Sequence, residues 1–578
     1  MKDYDVIIIG GGLNGLTTAC YLQKSGLSVG VFEARGQCGA HTDTVELGRP
    51  GFLHNTHAQW LVPAMSPAMA DLELESFGLD LCGTDVIFSM PHKDGTNTVQ
   101  GMDGAITMES IGRHSEKDAA VLAKYMEFAA MNAAEAMEIA GLQSFAPPTM
   151  ELAERVAKLN HGLVQHLGLD CTGDDVMRMS GYEIIELLFE SEAVRVVPGT
   201  LGEYTGQWGI NRRVAPTVLA LSGFMPMAVH QAKGGSHALT HSLVKCFVHH
   251  GGEIWTTCPV EKILVENGKA CGIRMSEDAL LAGEEVRAKT IVSNITFTPT
   301  WVNLLGEEVV GADWVRRAKY FNYDDPQLLS AFFALKEAPT FASAEYDPAI
   351  QRAWVGYMGC NSLDQLRNSQ MQVMTGVVPD DAMCGYFIPT LADPTQAPDG
   401  CHTFNSWLTV PPNPRRWKNK TLNGWNSWSE GLGEKLGDDM EDLIEAMAPG
   451  FKDSIIERTI NSPMSMENSN PSAIRGNMIG GSAIPEQSGE LRPLPGVIQE
   501  GSVSRTYIPS LYLSNSIHPF GATHLASGYL AAIDIAEDLG CRKQTWWGSK
   551  PFEWFFGNMA RIPMNKGVDE KWLKGGGN

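Results

Sequence analysis

The sequence predicts an α/β fold that opens on a buried parallel strand, a glycine-rich turn and a helix. Three observations carry this. Asp5-Val6-Ile7-Ile8-Ile9 is a β-branched run. Gly10-Gly11-Gly12-Leu13-Asn14-Gly15 follows it at once, and helical spacing then runs from Leu13 to about Lys24. Uninterrupted aliphatic residues suit a strand covered on both faces, as in a parallel sheet. Leu13, Leu16, Cys20 and Leu22 supply apolar positions of the helix, and Gly26 stands where a C-terminal cap falls. A second strand, Ser28 to Phe32, ends at Glu33.

Each part of this unit has a physical role. Gly10 permits the tight turn out of the strand, Gly12 lets the backbone approach a pyrophosphate, and Gly15 lets the helix pack closely on the sheet. The helix start at Leu13 and Asn14 offers free N–H groups and partial positive charge to phosphates. Glu33 is placed to accept hydrogen bonds from the ribose hydroxyls of an adenosine, and its charge disfavours a 2′-phosphate. A G-x-G-x-x-G alone is a weak signal. Set between strand and helix, with an acid at the end of the next strand, it predicts a Rossmann-type dinucleotide site that is not for NADP.

Composition narrows the class. The chain has 578 residues, and 67 acidic against 44 basic side chains give a formal charge of −23. That excess repels nucleic acid and anionic membrane, so neither is expected as a partner. No apolar run reaches the ~18 residues of a membrane span; the longest, Val214 to Val229, contains Pro216, Ser222, Gly223 and Pro226. The opening Met1-Lys2-Asp3-Tyr4-Asp5 has no signal-peptide character. The 11 cysteines are scattered, odd in number and free of C-x-x-C pairs, which argues against disulfides and thiolate metal sites. A cytoplasmic protein without a metal is expected. No G-x-S-x-G elbow supports a nucleophilic hydrolase.

The stretch after the second strand, Glu33-Ala34-Arg35-Gly36-Gln37-Cys38-Gly39, resembles the extended signature of FAD-dependent amine oxidases and phytoene desaturases. Ala40 replaces a family glycine, and His41 stands where arginine is common. The far end gives an independent match. Leu511-Tyr512-Leu513-Ser514-Asn515 reads as a strand, His518-Pro519-Phe520-Gly521-Ala522-Thr523-His524 as a turn, and Leu525 to Leu539 as a helix. This looks like the L-Y-L-x-G-x-x-x-H-P-G-G-G segment of phytoene dehydrogenase-related flavoproteins, with Phe520 and His524 as departures. Between the ends, Gly234-Gly235, Gly251-Gly252, Val260-Glu261-Lys262-Ile263, Ala288 to Asn294, Ala448-Pro449-Gly450, Gly480-Gly481 and Arg492-Pro493 recur in the family's order.

The resemblance implies a glutathione-reductase-like FAD-binding domain interleaved with an α+β substrate domain. The first would be assembled from residues 1–80, 230–300 and 495–542, the second from 81–229 and 301–494. It implies FAD contacts from Gly10, Gly12, Leu13, Asn14, Gly15, Glu33, Ala34, Arg35 and Gly39. Ala40 and His41 follow, His41 as an ordinary neighbour rather than a covalent attachment. Val260 would meet the adenine. Asn294, Ser514, Asn515, Gly521, Thr523, His524 and Leu525 would lie towards the flavin and its ribityl chain, where a helix start stabilises negative charge.

The implied chemistry is desaturation of a carbon–carbon bond in a hydrophobic small molecule, by hydride transfer to flavin N5. A flavin amine oxidase acting on a C–N bond and an FAD-dependent isomerase without net redox are the alternatives. Histidine suits a base near neutral pH, and His57, His518 and His524 lie in the segments that approach the flavin in relatives. Met225, Met227 and Met464 to Met466 are candidates for an apolar pocket, although methionine in such runs is more often core. Residues 115 to 141 read as alanine- and methionine-rich helix. In the tail, 543–578, Trp546, Trp547, Phe552, Trp554, Phe555 and Phe556 crowd together. Packing or a subunit interface is expected there ahead of peripheral membrane contact, since few basic residues accompany them.

Overall fold

The computed structural model describes residues 3–220, 229–324, 327–521 and 523–565. Fourteen strands are labelled here in chain order: β1 (Tyr4–Ile9), β2 (Val29–Phe32), β3 (Val86–Pro91), β4 (Asn97–Gly101), β5 (Glu253–Trp255), β6 (Val260–Glu266), β7 (Lys269–Met275), β8 (Glu285–Ser293), β9 (Gln327–Leu335), β10 (Val355–Met358), β11 (Cys384–Phe387), β12 (His402–Val410), β13 (Ile455–Asn461) and β14 (Leu511–Leu513). Seven helices position the site: α1 (Leu13–Lys24), α2 (Glu116–Met131), α3 (Ala133–Phe145), α4 (Met150–Leu167), α5 (Glu192–Thr205), α6 (His237–His249) and α7 (Ala526–Asp538).

Strands far apart in the chain build the first sheet. Its parallel part runs β14-β8-β1-β2-β5, with Ile7 opposite Ile291 and Ile291 opposite Leu511. The antiparallel pair β6–β7 extends the first half of β8. Val6, Ile7 and Ile8 are fully buried, as a doubly covered strand requires. Helices α1, α6 and α7 pack on it through Leu16, Leu239, Leu243, Leu530 and Ile535. The second sheet, β13-β9-β12-β11-β10-β3-β4, is antiparallel except where β10 meets β3. The fold is thus mixed α/β with a Rossmann-type unit, as the first forty residues predict.

Where element ends depart from the sequence reading, a local bond explains it. The strand expected over 511–515 stops at Leu513, because Ser514 Oγ donates to Asn294 Oδ1 and Asn515 Nδ2 to Asn294 O. The helix expected from Leu525 begins at Ala526, with Leu525 left-handed (φ +65°) at its N-cap. The 115–141 stretch becomes two helices, α2 and α3, broken at Asn132.

The aromatic tail folds onto its own chain. Trp547, Phe552, Trp554 and Phe555 are buried, Trp547 lies 4.6 Å from the Tyr21 ring, and Trp554 Nε1 donates to Glu75. Buried Asp71 fastens it, accepting from Gly548 N, Ser549 N and the Tyr21 hydroxyl. Phe556 and Met559 stay exposed. No helix among the described residues is long and apolar enough to cross a membrane. Met225 and Met227 lie outside the described residues, as does Ala522; Met466 is core and Met464 packs against it.

Candidate functional site

The glycine-rich turn is held by its neighbours. Gly10 leaves β1 at φ +94°, and Asn294, one residue past β8, donates from Nδ2 to Gly10 O. A Cβ at Gly15 would stand 2.5 Å from Gly10 O and 2.7 Å from Asn294 Nδ2, so the close approach of α1 requires glycine there. Gly12 is the N-cap of α1; no side chain caps it, and its first turn holds no acid. The leading N–H groups, Leu13 among them, are therefore free to meet an anion. Asn14 instead turns inward and accepts from Gly528 N on α7 through Oδ1.

Glu33 sits under the turn. It is buried, accepting from Gly11 N at 2.7 Å and Arg35 N at 2.8 Å. Burial raises its pKa against the lowering effect of those two N–H groups. Each carboxylate oxygen keeps room for a further donor. Ala34 follows within the same bend. Thr257 N and Cys258 N reach back to Arg35 O and Glu33 O, which brings Val260 and the start of β6 beside the acid. Arg35 is turned away from the turn, onto Asp43 and Ala40 O.

The segment from Gly39 to His41 runs alongside the turn. Gly39 pairs with Gly12 and donates to Gly11 O at 3.0 Å. Ala40 takes φ +51°, a left-handed conformation in which the glycine of relatives is unstrained and alanine is not. Both nitrogens of His41 are engaged, Nδ1 with Met478 O at 3.0 Å and Nε2 with Asn470 Nδ2 at 3.3 Å. The His57 ring packs 4.6 Å from it. Burial pulls His41 down to about 4 and His57 well below its usual value, the neighbouring His41 and Arg35 adding to the effect on His57. His57 Nδ1 meets Thr56 Oγ1 at 2.9 Å, and its buried Nε2 has no partner.

The turn from His518 to His524 closes the opposite side. Val62 N donates to Thr523 Oγ1, Gly521 N to Ile479 O, and Ser527 Oγ to Pro519 O. His524 Nδ1 accepts from Ala526 N at 3.1 Å and so caps α7. His524 is then the Nε2–H tautomer, pulled down to about 4 by burial and by His518. Both His41 and His524 keep accessible surface although they lie deep in the fold. His518, also pulled to about 4 by burial, lines a separate cavity of about 870 Å³ between α3, α4 and residues 489–503.

The structure thus brings Gly10 to Gly15, Glu33, Gly39 to His41, His57, Asn294, Ser514, Asn515, Gly521, Thr523, His524 and Leu525 around one region. Sequence reasoning did not single out the loop at Met478 and Ile479 that contacts His41 and Gly521. Arg492 holds this loop, its guanidinium buried and donating to the carbonyls of Ile479, Gly480, Gly481, Ser482 and Gln487. The Gly480-Gly481 pair was the available signal. Among the described residues, no group of His, Cys, Asp and Glu could hold a metal ion. The uncapped helix, the buried acid and the orphaned His57 Nε2 fit a dinucleotide cofactor.

Comparison with known proteins agrees. A family described as NAD(P)-binding Rossmann-like domain matches residues 8–72. A limonene dehydrogenase component from Castellaniella defragrans is 28% identical, over 95% of this chain and 96% of its own. The rat pyridine nucleotide-disulfide oxidoreductase domain-containing protein 2 is 28% identical over 93% and 94%. Prolycopene isomerase 1 of an Oncidium hybrid is 24% identical, over 54% of this chain and 47% of its own. Among solved structures, an oxidoreductase from Methanosarcina mazei superposes with a TM-score of 0.57 at 16% identity, covering 92% of this chain and 99% of that one. Putrescine oxidase bound to putrescine gives 0.57 at 14%, covering 94% and 100%. Fold and site define a mixed α/β protein with a Rossmann-type nucleotide-binding domain. The chain is similar over most of its length to these limonene dehydrogenase and pyridine nucleotide-disulfide oxidoreductase domain proteins, and over about half of it to prolycopene isomerase.

Proposed function

We propose that this protein binds FAD and dehydrogenates a carbon–carbon bond of a hydrophobic small molecule. Names among the relatives, a limonene dehydrogenase component and prolycopene isomerases, support an apolar unsaturated substrate. Bound FAD would supply a two-electron acceptor for a hydride. The α1 N-terminus and Glu33 would hold its pyrophosphate and ribose, with Val260 towards the adenine. Gly39 to His41, Asn294, Ser514, Asn515 and the 521–525 turn would surround the rest.

The observation that carries the reading is His57. A buried ring nitrogen without a partner demands a donor or a proton. With Nδ1–H donating to Thr56 Oγ1, the Nε2 lone pair is the free acceptor. Removing a hydride from one carbon and a proton from its neighbour forms the double bond. His57 Nε2 is the residue placed to take that proton; bound FAD would supply the acceptor for the hydride's electron pair, and an external acceptor would have to reoxidise it. His524 cannot share that role through Nδ1, which its helix occupies; its Nε2–H is assigned as a donor towards the cofactor. His518, on the wall of the outer cavity, is assigned to the approach rather than to proton transfer.

Anaerobic mixing with limonene tests this. Wild-type protein should be yellow and should bleach. His57→Gln should keep its flavin and bleach at least about 100-fold more slowly, the usual scale for a lost general base. Wild-type bleaching rates in His57→Gln would overturn the assignment, and colourless protein would overturn FAD binding. Peroxide release with amines would favour C–N oxidation, and product without bleaching an isomerase.

A further inference from the structure

A buried guanidinium stands behind the loop that meets His41 and Gly521. Arg492 is 3% exposed, and its Nη1 donates to Ser482 O at 2.8 Å and Gln487 O at 3.1 Å. Its Nη2 donates to Ile479 O, Gly480 O and Gly481 O at 3.3, 3.0 and 3.2 Å. Five carbonyls thus occupy the two Nη groups, while the buried Nε–H has no partner. Glu151, Glu490 and Glu500 share the outer cavity wall with Arg492, but all three are exposed, and among the described residues no carboxylate forms an ion pair with it. Burial draws Arg492 down to about 10, and the opposing influence is Tyr323 rather than a carboxylate.

The loop that Arg492 holds reaches three parts of the cofactor region. Met478 O meets His41 Nδ1, Ile479 O accepts from Gly521 N, and a Cβ at Gly480 would collide with Asn515 Oδ1. Ile479 O is therefore shared between the guanidinium and the 518–524 turn. Asn477 Oδ1 accepts from Ile479 N and Gly481 N, so the loop is gripped through its amides as well as its carbonyls. The charge is also felt in the turn itself, where it adds to the lowering of His518.

The other charges of this region do not balance it. Arg35 is paired with Asp43. Burial draws His41, His57, His518 and His524 below their usual range, so all four are neutral at pH 7. Glu33 belongs to the glycine turn, bonded to Gly11 N and Arg35 N. A charge taken out of water and met only by neutral dipoles carries a desolvation cost, which a nearby opposite charge offsets. A flavin that accepts a hydride supplies such a charge. The hydride carries two electrons and one proton, so a neutral ring becomes singly negative.

We propose that Arg492 is the fixed positive charge that stabilises the flavin once it has accepted a hydride. It acts through its field and through the loop it holds, and it transfers no proton. The inference rests on the flavoprotein reading above and adds the residue that favours electron uptake.

The proton affinity of the reduced flavin tests it, titrated by absorbance on the full-length protein after anaerobic photoreduction. A nearby positive charge keeps that flavin anionic. Its protonation midpoint in wild type should therefore lie at least about one pH unit, a tenfold change, below that of free FAD reduced in the same buffer. Arg492→Met should reverse most of that shift with flavin still bound. Arg492→Lys, which keeps the charge with fewer bonds, should stay close to wild type. A wild-type midpoint no lower than that of free FAD overturns the proposal. So does a wild-type midpoint in Arg492→Met, or an equal rise in Arg492→Met and Arg492→Lys, which would make Arg492 a strut alone. If Arg492→Met does not fold, Arg492→Gln, which keeps an amide donor without the charge, is read by the same criteria. Protein that carries no flavin overturns the earlier reading instead.

Discussion

Glu33 shows how one side chain can be read twice. In sequence it is the acid that closes a nucleotide-binding unit; in the structure it is a buried carboxylate bonded to Gly11 N and Arg35 N. Glu33→Gln keeps the shape but puts an amide NH2 group against one of those N–H donors. A misplaced buried donor costs about 1–3 kcal/mol, and the ribose loses an ionic acceptor. The flavin-to-protein ratio after desalting should fall well below one, while a full complement of flavin would show that Glu33 is not part of the cofactor site. His524 gives a contrasting lesson. Its type invites a catalytic role, but its Nδ1 is spent on Ala526 N, a bond visible only once α7 is in place.

Between elements, the crossing of α1 and α7 is a close contact. Gly528 N donates to Asn14 Oδ1, Thr18 Oγ1 donates to Gly528 O, and a Cβ at Gly528 would fall inside contact distance of Asn14 O. Two helices more than 500 residues apart therefore meet backbone to backbone. Gly528→Ala must push them apart, at about 1–3 kcal/mol for an overpacked site, although alanine favours helix by about 1 kcal/mol elsewhere. Net destabilisation by chemical denaturation is expected, together with weakened FAD retention, since both helix starts move. A stabilised Gly528→Ala would mean that the crossing is looser than drawn.

At the scale of the whole molecule, two sheets and their helices enclose an unusual set of neutral histidines. Burial holds His41, His54, His92, His402, His518 and His524 down to about 4. Their folded pKa lies below the unfolded value, so the unfolded chain binds more protons between about pH 4 and 6.5. Their stabilising effect is complete above 6.5 and is lost as pH falls towards 4, by up to about 3 kcal/mol per ring. The melting temperature should therefore drop steadily from pH 6.5 to 4.5, before most carboxylates titrate. A flat profile across that window would contradict the burial of these rings. The tail belongs to the same scale: Asp71 and Tyr21 receive it, so its aromatic crowding completes the first core.

By itself the sequence determined the nucleotide-binding unit, because that unit is local. Strand, turn, helix and acid fall within thirty residues; Gly15 packs on Gly10 O and Glu33 accepts from Gly11 N and Arg35 N, all near neighbours, while Asn294 closes on Gly10 from afar. The helix Leu13–Lys24 is found where its spacing puts it, and the terminal strand and helix are found within two residues. Only the tertiary structure decided which histidine nitrogen is free and where the tail goes. Those answers depend on partners hundreds of residues away: Met478 for His41, and Asp71 for the tail at Gly548 and Ser549. A ring's residue type states what it can do; its burial and its far partners decide what it has left to do.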